Sequence, residues 1–224
     1  MSKRFGEKQV LDGLTFAVKK GEIFTIVGPS GTGKSVTLKH IVGLIHPDAG
    51  EVKTATDRIG YLFQSGALLA WMTVYENVAL PLVETTKFSD KIIDAKVRDA
   101  LKAVGLENDA EKYPGEISGG MQKRAGLARA IVRSADVVLY DEPTSGLDPV
   151  TSVNIAKLIR DLNRRRGVTS VLVTHDIVSA LKVSDRILLI KNGKAVFLGT
   201  PAEFQSSANG EVQQFIEATR GESL

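Results

Sequence analysis

The run Gly28-Pro29-Ser30-Gly31-Thr32-Gly33-Lys34-Ser35 constrains this chain more than any other. It fits the pattern G-x-x-x-x-G-K-[ST] at every fixed position, and that pattern works only between a core strand and a helix. Both flanks qualify. Ile23-Phe24-Thr25-Ile26-Val27 reads as a buried strand, and Leu38, Ile41, Val42 and Ile45 repeat at i, i+3, i+4 and i+7. His46-Pro47-Asp48-Ala49-Gly50 then stops the predicted helix. The glycines let backbone N–H groups turn inward around phosphate oxygens, where a helix N-terminus adds partial positive charge. Lys34 reaches the β- and γ-phosphates of a nucleotide, and the Ser35 hydroxyl is a ligand for Mg²⁺. A plain strand–turn–helix is the alternative, and the two correct flanks disfavour it.

Further along, strands alternate with helices. Residues 51–63 read as short strands, and from about 72 to 117 the pattern is helical, with Ile93, Val97, Ala100, Leu101 and Val104 on one face. Val137–Tyr140 and Ser170–Thr174 read as buried strands on either side of a helix marked by Ile155, Leu158, Ile159 and Leu162. A hairpin over Ile187–Leu198 turns at Asn192-Gly193, a type I′ signal. This order predicts an α/β fold with a mostly parallel sheet. Composition excludes several chemistries. With no cysteine among 224 residues there are no disulfides and no thiolate sites. No apolar run approaches the roughly 18 residues of a spanning helix, so any service to a membrane is from outside the bilayer. The net charge of +3 is mild, and Arg164-Arg165-Arg166 falls at a predicted helix end, where cations complement the dipole. Binding of nucleic acid is not expected.

Asp141-Glu142 ends the strand Val137–Tyr140. A carboxylate at the tip of a core strand beside a phosphate loop is where an acid holds Mg²⁺, and the following Glu142 is suited to polarise the attacking water as general base. His175 follows Val171–Thr174, so it too is expected at the carboxyl edge of the sheet, where α/β proteins bind ligands.

Taken together these residues resemble the ABC transporter ATPases. Ser118-Gly119-Gly120-Met121-Gln122 resembles the ABC signature, preceded by the family-like Tyr113-Pro114-Gly115-Glu116-Ile117. Asp141 to Pro149 resembles Walker B running into the D-loop, Gln64 the Q-loop glutamine and Thr174-His175-Asp176 the switch histidine. The resemblance spans nearly the whole chain in the family's order. It implies one P-loop NTPase domain: residues 1–66 and 134–224 form a nucleotide-binding core with a small antiparallel β lobe, and residues 67–133 an inserted α-helical lobe. It implies ATP and Mg²⁺, with Gly28, Pro29, Ser30, Gly31, Thr32, Gly33, Lys34, Ser35 and Val36 around the phosphates and Phe5 stacked on adenine. Ser35 and Gln64 would hold the metal directly, supported by Asp141, while Lys34, Gln64, Glu142 and His175 carry hydrolysis. A homodimer is implied, because Ser118, Gly119 and Gly120 are taken to close the site of the opposite subunit, and Asp148, in the D-loop-like run, is implied to bind nucleotide. Ser-Gly-Gly before a helix is by itself a second phosphate-binding end. An integral-membrane permease, and a peripheral location on the cytoplasmic face of the inner membrane, follow from the same resemblance.

A narrower likeness lies in Gln64–Leu69, Met72–Leu82, Met121 and Val212-Gln213-Gln214-Phe215-Ile216. These are similar to ATPases of the maintenance-of-lipid-asymmetry type, which implies phospholipid cargo and an MCE-domain lipid-binding partner. Two departures stand out. The N-terminal strand that would position Phe5 is expected to be missing, and Gly50–Gln64 is shorter than in lipid-type relatives. Other functions fit less well. A soluble ABC ATPase acting on DNA or ribosomes calls for a coiled-coil insertion or paired cassettes. A regulatory module without turnover would be expected to lose Glu142 or His175, and a small-molecule kinase leaves the signature unexplained. An importer ATPase for another small solute stays open.

Overall fold

A computed structural model describes residues 1–221. The first half of the chain forms β1 (Lys3–Phe5), β2 (Lys8–Leu11), β3 (Ile23–Val27), α1 (Lys34–Ile41), β4 (Ile59–Leu62), α2 (Val74–Thr85) and α3 (Asp90–Ala103). There follow α4 (Gly119–Ile131), β5 (Val137–Asp141), α5 (Pro149–Arg166), β6 (Thr169–Thr174), α6 (Ile177–Val183), β7 (Arg186–Lys191), β8 (Lys194–Gly199), α7 (Pro201–Gln205) and α8 (Gly210–Gly221). These elements gather into two compact units, one of Met1–Ala55 with the chain from Thr169 onward, the other of Thr56–Val168.

In the first unit β3 lies between β6 and β7, parallel to both, and β8 adds antiparallel to β7. All five residues of β3 and all six of β6 are buried, as continuous apolar runs in a parallel sheet require. Asn192 (φ 50°) and Gly193 (φ 76°) make the hairpin turn with both residues left-handed, as the type I′ signal predicts. Val27, Ile187 and Leu189 pack with Ile177, Ala180, Phe204, Val212 and Ile216, so α6, α7 and α8 share one cluster with β3 and β7. The predicted first helix ends one turn early. Gly43 (φ 79°) closes it, with the Leu44 N–H donating to Lys39 O and the Gly43 N–H to His40 O, a Schellman arrangement that leaves Ile45 outside. The strand expected to be missing is present: β1 carries Phe5 and pairs antiparallel with β2.

In the second unit β4 and β5 are parallel neighbours. A Cβ on Gly60 of β4 would lie 2.2 Å from Ala130 O of α4, so glycine sets how closely helix and strand approach. The expected apolar face of α3 is buried at Ile93, Val97, Ala100 and Leu101, with Val104 following. Thr73 and Glu76 form a capping box at the start of α2, and fully buried Asn77 ties the preceding segment by accepting from Leu69 N–H and donating to Leu69, Met72 and Thr73 carbonyls. Asp148 caps α5, Pro149 opens it, and Arg164, Arg165 and Arg166 occupy its last turn before left-handed Gly167. Of the strands expected over 51–63 only Ile59–Leu62 forms. Residues 51–58 carry Glu51, Lys53, Asp57 and Arg58 with no alternating apolar face to bury, and Glu51 and Lys53 pair in solvent. The second unit takes in β4 and β5 together with the helices beside them.

Candidate nucleotide site

The phosphate loop leaves β3 at Gly28, whose φ is 154° and whose Cβ, if present, would lie 2.3 Å from Ile190 O. No side chain fits there. Gly31 (φ 79°) and Gly33 (φ 96°) complete the turn, and Gly33 is the N-cap of α1 without any side-chain cap. The first turn of α1, Lys34 to Val36, therefore faces the loop with backbone N–H donors that a phosphate can accept from. Pro29, Ser30 and Thr32 form the rim, Thr32 donating to Pro29 O at 2.9 Å. Buried Lys34 folds back into the loop, its Nζ donating to Gly28 O at 2.8 Å and Pro29 O at 3.0 Å. These are neutral acceptors, and a phosphate oxygen is a stronger partner for an ammonium. Parallel pairing of Val27 with Thr174 brings His175 out at the same edge as Gly28, as expected. Phe5 is 48% exposed on β1, with Lys3 Nζ 5.5 Å from its ring centre.

The second unit gathers the other predicted residues. Leu62 pairs with Tyr140, so Gln64 and Asp141-Glu142 leave the same edge of the parallel pair. Asp141 and Glu142 are both buried. The Tyr61 hydroxyl donates to Asp141 Oδ2 at 3.0 Å, and burial, helped by that carboxylate, pushes the Tyr61 pKa up so that it stays a donor. Glu142 adopts a left-handed backbone (φ 48°) uncommon for a residue with a side chain. Gln64 Nε2 donates to Ser145 Oγ at 3.3 Å. Ser118 caps α4, its hydroxyl accepting from Met121 N–H, so Gly119 and Gly120 form the first turn, Gly119 exposed and Gly120 buried. A Cβ on Gly120 would lie 2.5 Å from Thr151 Cγ2 of α5. Asp148 accepts from Val150 and Thr151 N–H at 3.0 Å, and the Thr151 side chain and these N–H groups hold its carboxyl below the usual aspartate range.

Each unit thus collects its own set: the phosphate loop and His175 in one, and Gln64, the signature turn, Asp141, Glu142 and Asp148 in the other. Ser35 in the first unit offers a hydroxyl oxygen, and Gln64 and Asp141 in the second an amide and a carboxylate oxygen, each a donor type that suits a hard cation such as Mg²⁺. Sequence reasoning passed over Tyr61, Ser145 and Lys123, whose Nζ donates to the carbonyls of Gln64 and Glu142. Lys123 had a signal, since it shares the spacing of Gly120, Leu127 and Ile131 on the inner face of α4.

Comparison with known proteins agrees with this geometry. The profile of the ABC transporter family matches residues 11–145. The chain is 40% identical over 235 residues to the "Probable ribonucleotide transport ATP-binding protein mkl" of Mycobacterium leprae, covering 98% of this chain and 68% of that protein. Other mycobacterial relatives of that name are covered to 66%, so the chain spans about two thirds of their length. It is 38% identical over 227 residues to the "Intermembrane phospholipid transport system ATP-binding protein MlaF" of Escherichia coli K12, covering 95% of this chain and 84% of that one. Among solved structures, a dimeric ATP-binding cassette in a post-hydrolysis state with ADP and Pi superposes with a TM-score of 0.80 at 33% identity, over 89% of this chain and 95% of the other. The chain therefore belongs to the ABC transporter family and is one of its ATPase cassettes.

Proposed function

We propose that this cassette binds and hydrolyses ATP as a homodimer and drives transport through a separate membrane permease. The observation that carries the reading is the phosphate loop, where Gly28 admits no side chain, α1 starts without a side-chain cap and the Lys34 ammonium lies among loop carbonyls. Lys34 and the loop N–H groups neutralise the β- and γ-phosphates. Ser35 and Gln64, supported by Asp141, would hold Mg²⁺, which when bound offsets the charge of those phosphates. Glu142 accepts the proton of the attacking water, and His175 holds the γ-phosphate. Ser118 with Gly120 caps the ATP bound by the partner copy, using the N-terminus of α4, and Asp148 lines that junction. Phe5 stacks on the adenine.

No helix among the described residues is long and apolar enough to cross a membrane. Membership of the ABC transporter family supports a peripheral subunit at the cytoplasmic face beside an integral permease. The segment Leu68–Leu82 is its docking surface: it follows Gln64, Asn77 fixes its entry, and it presents Trp71 at 74% exposure. Phospholipid is the cargo favoured by the likeness of Gln64–Leu82 to the lipid-type ATPases and by MlaF, with an MCE-domain protein as the further partner. Another small solute is the second reading, favoured by the ribonucleotide in the mkl name. Mass spectrometry of ligands retained by the purified cassette–permease complex separates the two.

The dimer mechanism is tested with Glu142→Gln, which keeps the side chain's size and removes the base. ATP should then hold the variant as a dimer in light scattering after size exclusion, whereas ADP should not, because ligand that bridges the halves stabilises them by mass action. Adding Ser118→Arg should abolish that dimer. A Glu142→Gln protein that binds ATP yet stays monomeric at high concentration, alone and with its permease, refutes the composite site.

A further inference from the structure

A lysine ammonium has three donors and no acceptor, so burying one demands partners. Lys123 lies in α4, five residues beyond the capping Ser118, and is only 6% exposed. Its Nζ donates to the carbonyl oxygen of Gln64 and, at 3.2 Å, to that of Glu142. Burial lowers its pKa, while the Glu142 and Asp141 carboxylates pull the other way. Both acceptors are main-chain groups of residues whose side chains the proposed reaction uses.

The Glu142 backbone needs such support. A left-handed φ of 48° is costly for any residue carrying a Cβ and persists only where the surroundings over-determine it. Here two donors converge on its carbonyl, Lys123 Nζ and the Ser145 N–H at 3.1 Å. Ser145 Oγ in turn accepts from Gln64 Nε2, which closes a ring from Lys123 through Glu142, Ser145 and Gln64 back to Lys123. The same helix grips the segment after Gln64. Arg129 donates to Gly66 O and Ala67 O, each at 2.8 Å, and a Cβ on Gly126 would come within 3.0 Å of Gly66 O. Lys123, Gly126 and Arg129, three residues apart in succession, thus hold the backbone of residues 64–67 against the signature helix.

Building on the ATPase reading, we infer that Lys123 is a positioning residue for hydrolysis: its ammonium fixes the strained turn that aims the Glu142 carboxylate and ties that turn to Gln64 and to the helix that begins at Ser118. Lys123 acts through the two carbonyls.

The test compares Lys123→Met and Glu142→Gln, singly and together, in single-turnover ATP hydrolysis by the full chain, with KM and kcat measured for the active variants. Because a positioned base contributes about 10²–10⁴-fold, misdirecting it should lower kcat at least about tenfold while KM for ATP changes less than about threefold. In the Glu142→Gln background the same change should cost little further, because there is no base left to aim. Lys123→Gln, which keeps an N–H donor, should fall between wild type and Lys123→Met. If Lys123→Met does not fold, Lys123→Gln is read by the same two criteria. A folded variant with wild-type kcat overturns the inference, and so does a variant that loses as much without the Glu142 carboxylate as with it. Failure of the parent reading looks different, since wild type would then not hydrolyse ATP or Glu142→Gln would not impair it.

Discussion

Replacing Gly60 by alanine tests the packing on which the second unit depends. The added Cβ would lie 2.2 Å from the Ala130 carbonyl oxygen and 2.9 Å from its carbon, both backbone atoms of α4. An ordinary carbon–oxygen contact is about 3.3 Å or more, so strand and helix must part by about 1 Å. A gap of that size forfeits roughly a quarter to a half of each dispersion contact around it. Overpacking of this kind costs about 1–3 kcal/mol. Against it stands the gain of about 0.5–1 kcal/mol from removing a glycine inside a strand. The clash wins, and Gly60→Ala should be less stable by roughly 1–2 kcal/mol. With a urea slope of about 2 kcal/mol/M, the midpoint should fall by roughly 0.5–1 M with the slope unchanged. Gly115→Ala is the control, since a Cβ added there would meet nothing within 4 Å and its φ is not positive, so it should stay within about 0.5 kcal/mol of wild type. A Gly60→Ala protein as stable as wild type would refute the packing argument.

Lys34→Ala should weaken ATP binding about 10–100-fold, as expected for loss of a charged hydrogen-bond partner, while the melting temperature stays near wild type; near-normal hydrolysis by the folded variant contradicts the phosphate-loop assignment. Asp148→Asn should flatten the acid limb of stability. The folded carboxyl titrates below its ordinary value of 3.8, so its stabilisation is present above that value and is lost as pH falls through the folded one. Asparagine caps a helix comparably and does not titrate, so thermal melts on lowering pH should decline less steeply for the variant than for wild type. Parallel acid limbs refute that linkage.

Much of the site was legible because its chemistry is written in consecutive residues. Gly28–Ser35 runs from a buried strand into a helix, Asp141 ends one strand with Glu142 just beyond it, His175 follows another, and Ser118-Gly119-Gly120 opens a helix, all as the sequence predicts. Asn192-Gly193 and the apolar face of α3 were equally plain, since turn geometry and helical period act over a few neighbouring residues. Where the reading erred, a local competitor prevailed. Gly43 ended α1 before the His46-Pro47 signal, and the charged stretch 51–58 offered no alternating face to hold a strand.

The sequence by itself determined the phosphate loop, the order of strands and helices around it and the signature turn, because backbone preference and side-chain period are local. Tertiary structure alone decided how those parts are aimed. Tyr61 meets Asp141 from 80 residues away and Lys123 meets the Gln64 carbonyl from 59 residues away. The left-handed turn at Glu142 exists in a residue that would not choose it. Such features depend on which buried donors must find acceptors once β4, β5 and α4 are packed, and burial creates that demand only after distant segments have met.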